Sequence, residues 1–181
     1  MEFPQMQLKS TPTRYGAIAI AIHWVTALAI IGLLASGLIM DRVGDETVRS
    51  MLPVHAIMGG LILVLTLVRI GWWVWGDRHP VPLPGQPRLQ ELAAKLVHLL
   101  LYVAIIVLAA SGMATMALSG AVPALLAGAP LPDFDGLLPR STHGLVARLL
   151  IALFAVHVAA ALYHQFIRRD RLLGRMGIGS S

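Results

Sequence analysis

Residues 143–164 read HGLVARLLIALFAVHVAAALYH, an apolar run that is long enough to cross a membrane and that carries three histidines. Ionisable side chains inside a membrane helix are costly, so they usually face the bundle interior and mark a pathway or a binding site. His143 and His157 are just under four helical turns apart, which places both imidazoles on one side, about 21 Å apart along the axis. We interpret these two histidines as ligands of two separate centres stacked across a bilayer.

The composition of the whole chain is typical of a membrane protein. Of its 181 residues, 57% are hydrophobic and 13% are charged, and the mean hydropathy is +0.76. Four runs are long enough to span a bilayer as helices, at residues 16–40, 54–75, 96–118 and 143–167. We therefore predict an all-α integral membrane four-helix bundle over residues 16–167, with an N-terminal arm (1–15) and a basic tail (168–181).

The basic residues fall mainly on one side of the predicted bundle. If both termini are cytoplasmic, the inner side holds ten of the fourteen lysines and arginines. This distribution follows the positive-inside rule and predicts cytoplasmic termini. The sequence pI near 10.4 is then explained by the basic residues on the cytoplasmic side of the membrane. We predict no nucleic-acid partner, because the sequence offers no basic soluble domain.

Depth along the spans sorts four histidines into two pairs. The first span runs outward, so His23 lies near its inner end, at the depth of His157 in the last span. His55, near the outer end of the second span, matches His143. Two imidazoles without a carboxylate or thiolate suit the axial positions of a haem iron better than a tetrahedral zinc site. We predict two b haems, bound non-covalently because the chain has no cysteine, and electron transfer as their function.

Several residues near these histidines have two interpretations that the sequence leaves open. Trp24 lies against a bound planar ligand or anchors the helix at the membrane interface, and Arg69 pairs with haem propionates or snorkels to the surface. Gly59, one turn after His55, makes room for a macrocycle or allows close helix packing. His98 is a ligand, a hydrogen-bond partner of a cofactor or part of a quinone pocket, and we favour a role other than ligation.

Four local expectations concern two helix ends, one short apolar segment and the ligands themselves. Pro53 suits the first position of the second helix, and Ser141 suits the cap of the last one. The apolar segment 121–130 is too short to span and should cover the outer end of the bundle. We expect each ligand histidine to donate its second ring N–H to a carbonyl one turn back on its own helix.

Four groups of residues along the chain form recognisable motifs. They are Ala21-Ile-His23-Trp24, Val54-His55-Ala-Ile-Met-Gly59-Gly60 with Val68-Arg69, Lys95-Leu-Val-His98-Leu-Leu-Leu-Tyr102, and Thr142-His143-Gly with the run from His157 to His164. Together these motifs resemble those of the bacterial cytochrome b561 family. The resemblance extends from Thr13 to about Met176. It implies a di-haem protein of the bacterial inner membrane that exchanges electrons with ubiquinone, and the same two histidine pairs as haem ligands. Its superoxide oxidase branch looks most similar.

The resemblance implies two substrate sites. Quinone is expected near the inner haem, where His164 is a quinone contact or an interfacial snorkelling residue, and Arg14 is a further cofactor-binding candidate. Superoxide oxidation on the periplasmic side would need a local basic patch to steer the anion. Arg49, Arg140 and Arg148 are the candidates for this patch, although the outer side is slightly acidic overall.

We therefore predict a superoxide:ubiquinone oxidoreductase, with the lipid bilayer, quinone and superoxide or a redox donor protein as its partners. The nearest alternative is a cytochrome b subunit that passes electrons from a separate dehydrogenase or hydrogenase to quinone. A histidine-lined metal transporter would give no haem spectrum. A purely structural membrane subunit would tolerate alanine at all four paired histidines.

Overall fold

A computed structural model describes residues 7–83 and 85–179. Residues 1–6 of the predicted arm, residues 180–181 of the tail and Pro84 lie outside the described residues. Pro84 belongs to the connection between the second and third spans (residues 77–87), here called the inner loop. The described residues form six α-helices, namely α1 (Ala17–Met40), α2 (Asp45–Gly71), α3 (Arg88–Ser119), α4 (Ala121–Leu126), α5 (Leu138–Leu162) and α6 (Leu172–Arg175). A π-helical turn extends α2 over Trp72–Gly76, and another extends α5 over Tyr163–Arg168. The described ranges contain no strand, and the all-α prediction is confirmed.

Four of these helices are long and apolar enough to cross a membrane. With their π-helical turns they cover Ala17–Met40, Asp45–Gly76, Arg88–Ser119 and Leu138–Arg168. Many of their large apolar side chains are exposed, such as Leu28 at 67% and Ile57 at 64%. An apolar surface of this extent needs lipid to cover it. The prediction of an integral membrane four-helix bundle is confirmed.

The core of the bundle draws on all four spanning helices. α1 packs against α2, α2 against α3, and α3 against α5. The buried residues at the centre are Ile30, Ile62, Ala104, Ile105 and Leu150. This packing brings side chains from α1 and α2 to the same depths as side chains from α5.

Two helix starts differ from the sequence prediction. α2 begins at Asp45, so Pro53 lies inside the helix and not at its first position. The carboxylates of Asp45 and Glu46 stabilise this earlier start because they lie at the positive end of the helix dipole. α5 begins at Leu138, and Ser141 Oγ donates to the carbonyl of Leu138 instead of capping the helix.

The two ends of the described chain meet at one end of the bundle. We call this end the inner end, after the predicted orientation, and the opposite end the outer end. The Tyr15 N–H donates to the carbonyl of Arg175 (3.2 Å), and Trp24 Nε1 donates to the carbonyl of Met176 (3.0 Å). The Arg175 guanidinium donates to the carbonyls of Pro12, Thr13 and Val81. Residues 169–179, here called the C-terminal strap, therefore join the N-terminal arm and the inner loop in one layer.

Candidate metal centres

The structure brings together both histidine pairs that the sequence predicts. The ring centroids of His23 on α1 and His157 on α5 are 6.2 Å apart, with an interplanar angle of 60°. The ring centroids of His55 on α2 and His143 on α5 are also 6.2 Å apart, at 63°. The two pairs lie near opposite ends of the bundle, and α5 contributes one ring to each.

The spacing within each pair suits two imidazoles that share one metal ion. With metal–nitrogen distances of about 2.0 Å on either side, the two ring centres would be about 6 Å apart. Within the described residues, no group of three or more histidine, aspartate or glutamate side chains could hold a metal ion. Each centre thus offers two imidazole nitrogens and no further side-chain donor among the described residues, which fits an iron whose other four donors would come from a porphyrin.

Hydrogen bonds orient both rings of the outer pair. Ser36 Oγ donates to the carbonyl of Leu33 (2.9 Å), so it accepts a hydrogen bond from His55 Nδ1–H (2.7 Å). His143 Nδ1–H donates to the carbonyl of Leu108 (2.9 Å). Both rings then carry their proton on Nδ1. The Nε2 atoms keep their lone pairs and are able to bind a metal.

The partners of the outer rings differ from those expected. Ser36 belongs to α1 and Leu108 to α3, so neither ring donates to a carbonyl one turn back on its own helix. That expectation is wrong for the outer pair because carbonyls and hydroxyls of neighbouring helices are closer. His98 does follow the expected pattern, since its Nδ1–H donates to the carbonyl of Ala94 (2.7 Å).

Glycines allow the outer rings to approach the neighbouring helices. A Cβ added to Gly112 of α3 would lie 3.2 Å from His143 Cε1 and 3.3 Å from Nδ1, closer than ordinary van der Waals contact. A Cβ on Gly37 of α1 would lie 3.8 Å from His55 Cε1. An added Cβ at Gly59 would meet no described atom within 4 Å, which argues against close helix packing there. Its role beside a macrocycle stays a prediction.

Arg69 is the charged residue of the inner pair. Its Nη1 donates to His23 Nδ1 (3.1 Å), and its Cζ lies 5.8 Å from the centroid of the Tyr102 ring. Its Nε is buried and has no hydrogen-bond partner among the described residues. A guanidinium with a buried, unused N–H is expected to bind an acceptor, most favourably a carboxylate. The carboxylate of a bound cofactor would meet this requirement.

Trp24 and His98 complete the surroundings of the inner pair. The Trp24 ring lies 5.2 Å from His23, at 74° to it, while its Nε1 is bonded to the strap. The His98 ring lies 5.1 Å from His157, at 81° to it. Both residues therefore contact the predicted ligands, and their roles towards a cofactor stay predictions.

His164 is buried at the inner end and linked to two partners. It is 6% exposed, and its Nδ1–H donates to Asp170 Oδ2 at 2.5 Å. Its Nε2 accepts from the Gln90 side-chain amide on α3 (2.8 Å). This position is not that of a snorkelling residue. Contact with quinone remains a prediction, and no pattern in the sequence indicates the roles of Asp170 and Gln90.

Two of the three outer arginines line one cavity. Arg140 and Arg148 border a cavity of about 600 Å³ at the start of α5, which His143 itself does not line. Their guanidinium groups converge on Gly144, where Arg148 Nη2 and Arg140 Nη1 come within 3.6 and 3.7 Å of an added Cβ. Arg140 also pairs with Asp41 (2.8 Å).

The remaining basic candidates lie elsewhere. Arg49 donates to the carbonyl of Ala129, and so links α2 to the loop between α4 and α5 (residues 127–137). Arg14 lines a second cavity, at the inner end, together with Arg171 and Arg175. A role for Arg14 at the inner centre stays a prediction.

Comparison with known proteins covers almost the whole chain. Residues 14–179 match the family model described as prokaryotic cytochrome b561. The protein named cytochrome b561 homolog 2 of Escherichia coli K12 is 33% identical over 183 residues, 94% of this chain and 95% of that protein. Cytochrome b562 of Cereibacter sphaeroides is 32% identical over 169 residues, 90% of this chain and 94% of that protein. A protein of Yersinia pestis named probable superoxide oxidase CybB is 27% identical over 171 residues, 90% and 95% of the two chains.

Proposed function

Because this chain belongs to the prokaryotic cytochrome b561 family, we propose that it carries electrons across the membrane through two b haems, one held by His55 and His143 and the other by His23 and His157. Membrane electron transfer with b-type haem is the family's function. The observation that carries the two-haem proposal is the equal 6.2 Å separation in both pairs. Haem, when bound, supplies one-electron iron chemistry.

The chain's own residues hold the two outer rings in the state that binding requires; at the inner pair His23 Nδ1 accepts from Arg69, so binding through Nε2 requires this hydrogen bond to break and the ring proton to move to Nδ1. Ser36 and Leu108 keep the Nδ1 protons of the outer rings, which leaves both Nε2 atoms free for a metal. Arg69 offers the inner centre a half-buried positive charge whose buried Nε–H has no partner among the described residues. A haem carries two propionates, so this donor supports a cofactor carboxylate at the inner centre.

We propose superoxide as the electron donor at the outer end, and this end as periplasmic. The name of the Yersinia pestis relative supports this substrate. The cavity that contains Arg140 and Arg148 lies at the same end of α5 as His143 and is lined by its chain neighbour Gly144, and cationic clefts raise the association rate of anions. Two superoxide anions would each lose one electron and leave as dioxygen.

Ubiquinone is the proposed acceptor near the inner end. It takes up the two electrons and two protons to become ubiquinol, which balances the oxidation of two superoxide anions. We place it near the inner pair, where His98, His164 and Arg69 are polar candidates for contact. The bacterial inner membrane is the proposed location, with the inner end in the cytoplasm.

The test begins with the haem content of the purified protein. A reduced-minus-oxidised spectrum and a pyridine haemochrome assay should give two b haems per chain. One haem or none would contradict the pairing.

A stopped-flow assay then tests the substrate. Superoxide should reduce the haems, and Arg148→Gln should slow this step at low ionic strength more than Arg42→Gln, because Arg42 does not line the cavity. If superoxide leaves the haems oxidised, the protein is instead a subunit that receives electrons from a separate dehydrogenase. The pairing of Arg140 with Asp41, which reduces the positive charge of the cavity, is the observation that favours this second candidate.

A further inference from the structure

A basic cavity lies between the N-terminal arm and the C-terminal strap. It has a volume of about 400 Å³ and is lined by Thr13, Arg14, Asp170, Arg171 and Arg175. None of the proposed steps of electron transfer uses it. Three guanidinium groups face one carboxylate there, so the cavity has an excess of positive charge.

One oxygen of the single carboxylate is already bound by other groups, whereas Asp170 Oδ1 is buried and has no hydrogen-bond partner among the described residues. Asp170 Oδ2 accepts from His164 Nδ1 at 2.5 Å and lies 3.6 Å from Arg168 Nε. Arg175 uses its Nε and Nη2 on backbone carbonyls. Between residues 7 and 179, Pro84 excepted, the side chains of Arg14 and Arg171 have no hydrogen-bond partner. Two guanidinium groups are therefore available to an anion.

The backbone around Asp170 is strained in a way that presents Arg171 to the cavity. Arg169 and Arg171 both have φ of 56°, in the left-handed region, and they are the only described non-glycine residues with positive φ. Such residues cost energy unless surrounding contacts fix them, and they cluster at functional sites. The contact of Asp170 with His164 holds this turn in place. Arg171 lines the cavity, whereas Arg169 does not.

The cavity lies at the depth of the lipid head groups. Arg14 precedes the first residue of α1 by three positions, and the last span ends at Arg168. Tyr15 and the Trp72–Gly76 turn, with its three tryptophans, lie at the same end, and Tyr15 contacts Trp73 at 5.9 Å. Aromatic residues of this kind are enriched where the membrane meets water.

We propose that this cavity binds a phosphate group, supplied by the head group of an anionic phospholipid. The planar guanidinium fork binds phosphate oxygens in pairs, and basic segments next to a membrane attract anionic lipids. Arg14 from the arm and Arg171 from the strap would hold one phosphate between them. A bound lipid would then join the two segments and stabilise the inner end.

The test uses the purified holoprotein in a neutral detergent. Its thermal unfolding midpoint and its retention of lipid in native mass spectrometry are measured during titration with phosphatidylglycerol, phosphatidylcholine or inorganic phosphate. The informative variant is Arg171→Asn, because asparagine tolerates the left-handed backbone. Its matched control is Arg169→Asn, which has the same backbone conformation and loses the same charge. The haem spectrum of each variant reports whether it has folded.

Phosphatidylglycerol should raise the midpoint of the wild type and of Arg169→Asn, and phosphatidylcholine should not. Arg171→Asn and Arg14→Gln should each bind phosphatidylglycerol about tenfold more weakly, the loss expected for one charge-assisted hydrogen bond. A response to inorganic phosphate without a response to phosphatidylglycerol would overturn the lipid as the source of the phosphate group. Equal weakening in Arg169→Asn and Arg171→Asn would overturn the proposal, because general charge attraction would then explain the binding. No stabilisation by either phosphate source would also overturn it.

Discussion

At the residue scale, Ser36 determines which nitrogen of His55 is available to a metal. Its hydroxyl proton is used on the carbonyl of Leu33, so the oxygen can only accept from the Nδ1–H of the ring. Partners of this kind usually matter almost as much as the ligand itself. A hydroxyl on α1 therefore controls a ligand on α2.

Replacement of this hydroxyl should weaken haem binding at the outer centre. For Ser36→Ala we expect the affinity to fall about ten- to a hundredfold, because the His55 ring loses the group that fixes its tautomer and orientation. Haem titration of the apoprotein, followed by the Soret band, measures this change. Ser50→Ala is the control, since Ser50 is exposed and bonds only to the carbonyl of Thr47. Equal haem affinity in Ser36→Ala and the wild type would contradict the proposed role.

Gly112 has a comparable effect on His143. A methyl group at this position would lie 3.2 Å from the ring, so Gly112→Ala should displace the ring and lower occupancy of the outer centre. Haem content per chain and the reduced spectrum report this loss. Gly32→Ala is the matched control, because an added Cβ there meets no described atom within 4 Å. A similar loss in both variants would point to general destabilisation of the helices.

Asp41 limits the charge of the outer cavity through its pairing with Arg140. For Asp41→Asn we expect the rate of haem reduction by superoxide to rise on the order of twofold at low salt, with a smaller effect at high salt. Stopped-flow spectroscopy over a range of ionic strength measures it. Asp133→Asn changes the net charge equally but does not line the cavity. If both variants accelerate the reaction to the same extent, net charge and not the cavity sets the rate.

At the scale of elements, the four spans could be predicted because about twenty consecutive apolar residues have few alternatives to a membrane helix. Their ends were harder to predict. Pro53 is a common first residue of a helix, yet Asp45 and Glu46 stabilise a start further upstream. The strap depends on contacts between distant residues, such as Tyr15 with Arg175, and no local pattern indicates them.

Asp77 links the inner loop to the N-terminal arm in a manner that depends on pH. Its carboxylate accepts from the Ser10 amide (3.0 Å) and from Ser10 Oγ (2.7 Å). Partial burial raises the pKa of Asp77, but the hydrogen bonds from Ser10 and from the Arg78 amide outweigh this effect and hold the pKa below its usual value. The ionised form is therefore the one that secures the arm.

This contribution should be complete above the usual pKa of about 3.9 and should be lost as the pH falls through the lower pKa of the folded state. Hydrogen-exchange protection of the Gly16 amide, which donates to Ser10 Oγ, measures the attachment once intrinsic exchange rates are corrected for pH. Asp77→Asn should show weaker protection and no such pH dependence. Unchanged protection of the wild type at low pH would show that the carboxylate does not secure the arm.

At the scale of the whole molecule, α5 joins two centres near opposite ends of the bundle. The histidine pairs could be predicted because depth in a membrane is a single coordinate that follows from position along each span. The contacts of Arg69, Ser36 and Gly112 could not be predicted. They depend on how each helix is rotated about its axis, and the sequence of an almost uniformly apolar helix gives little information on rotation.

Removal of one outer ligand should therefore empty one centre and leave the other. For His143→Leu we expect the haem content to fall from two per chain to one, with loss of reduction by superoxide and retention of reduction by ubiquinol. The pyridine haemochrome assay and a ubiquinol-dependent spectrum measure these effects. His79→Leu should keep both haems, because His79 lies in the inner loop, where its ring stacks on Trp73 with the ring centroids 3.9 Å apart. Loss of both haems from His143→Leu would show that the centres are not independent.

The bond between Trp24 and Met176 joins residues 152 positions apart, and it has a consequence for biosynthesis. During synthesis α1 leaves the ribosome before the C-terminal strap does. The hydrogen bond of Trp24 can therefore form only after Met176 has been synthesised. The inner end is then the last part of the bundle to close. This delay leaves a period after insertion of the spans in which a large planar cofactor can enter at the inner end.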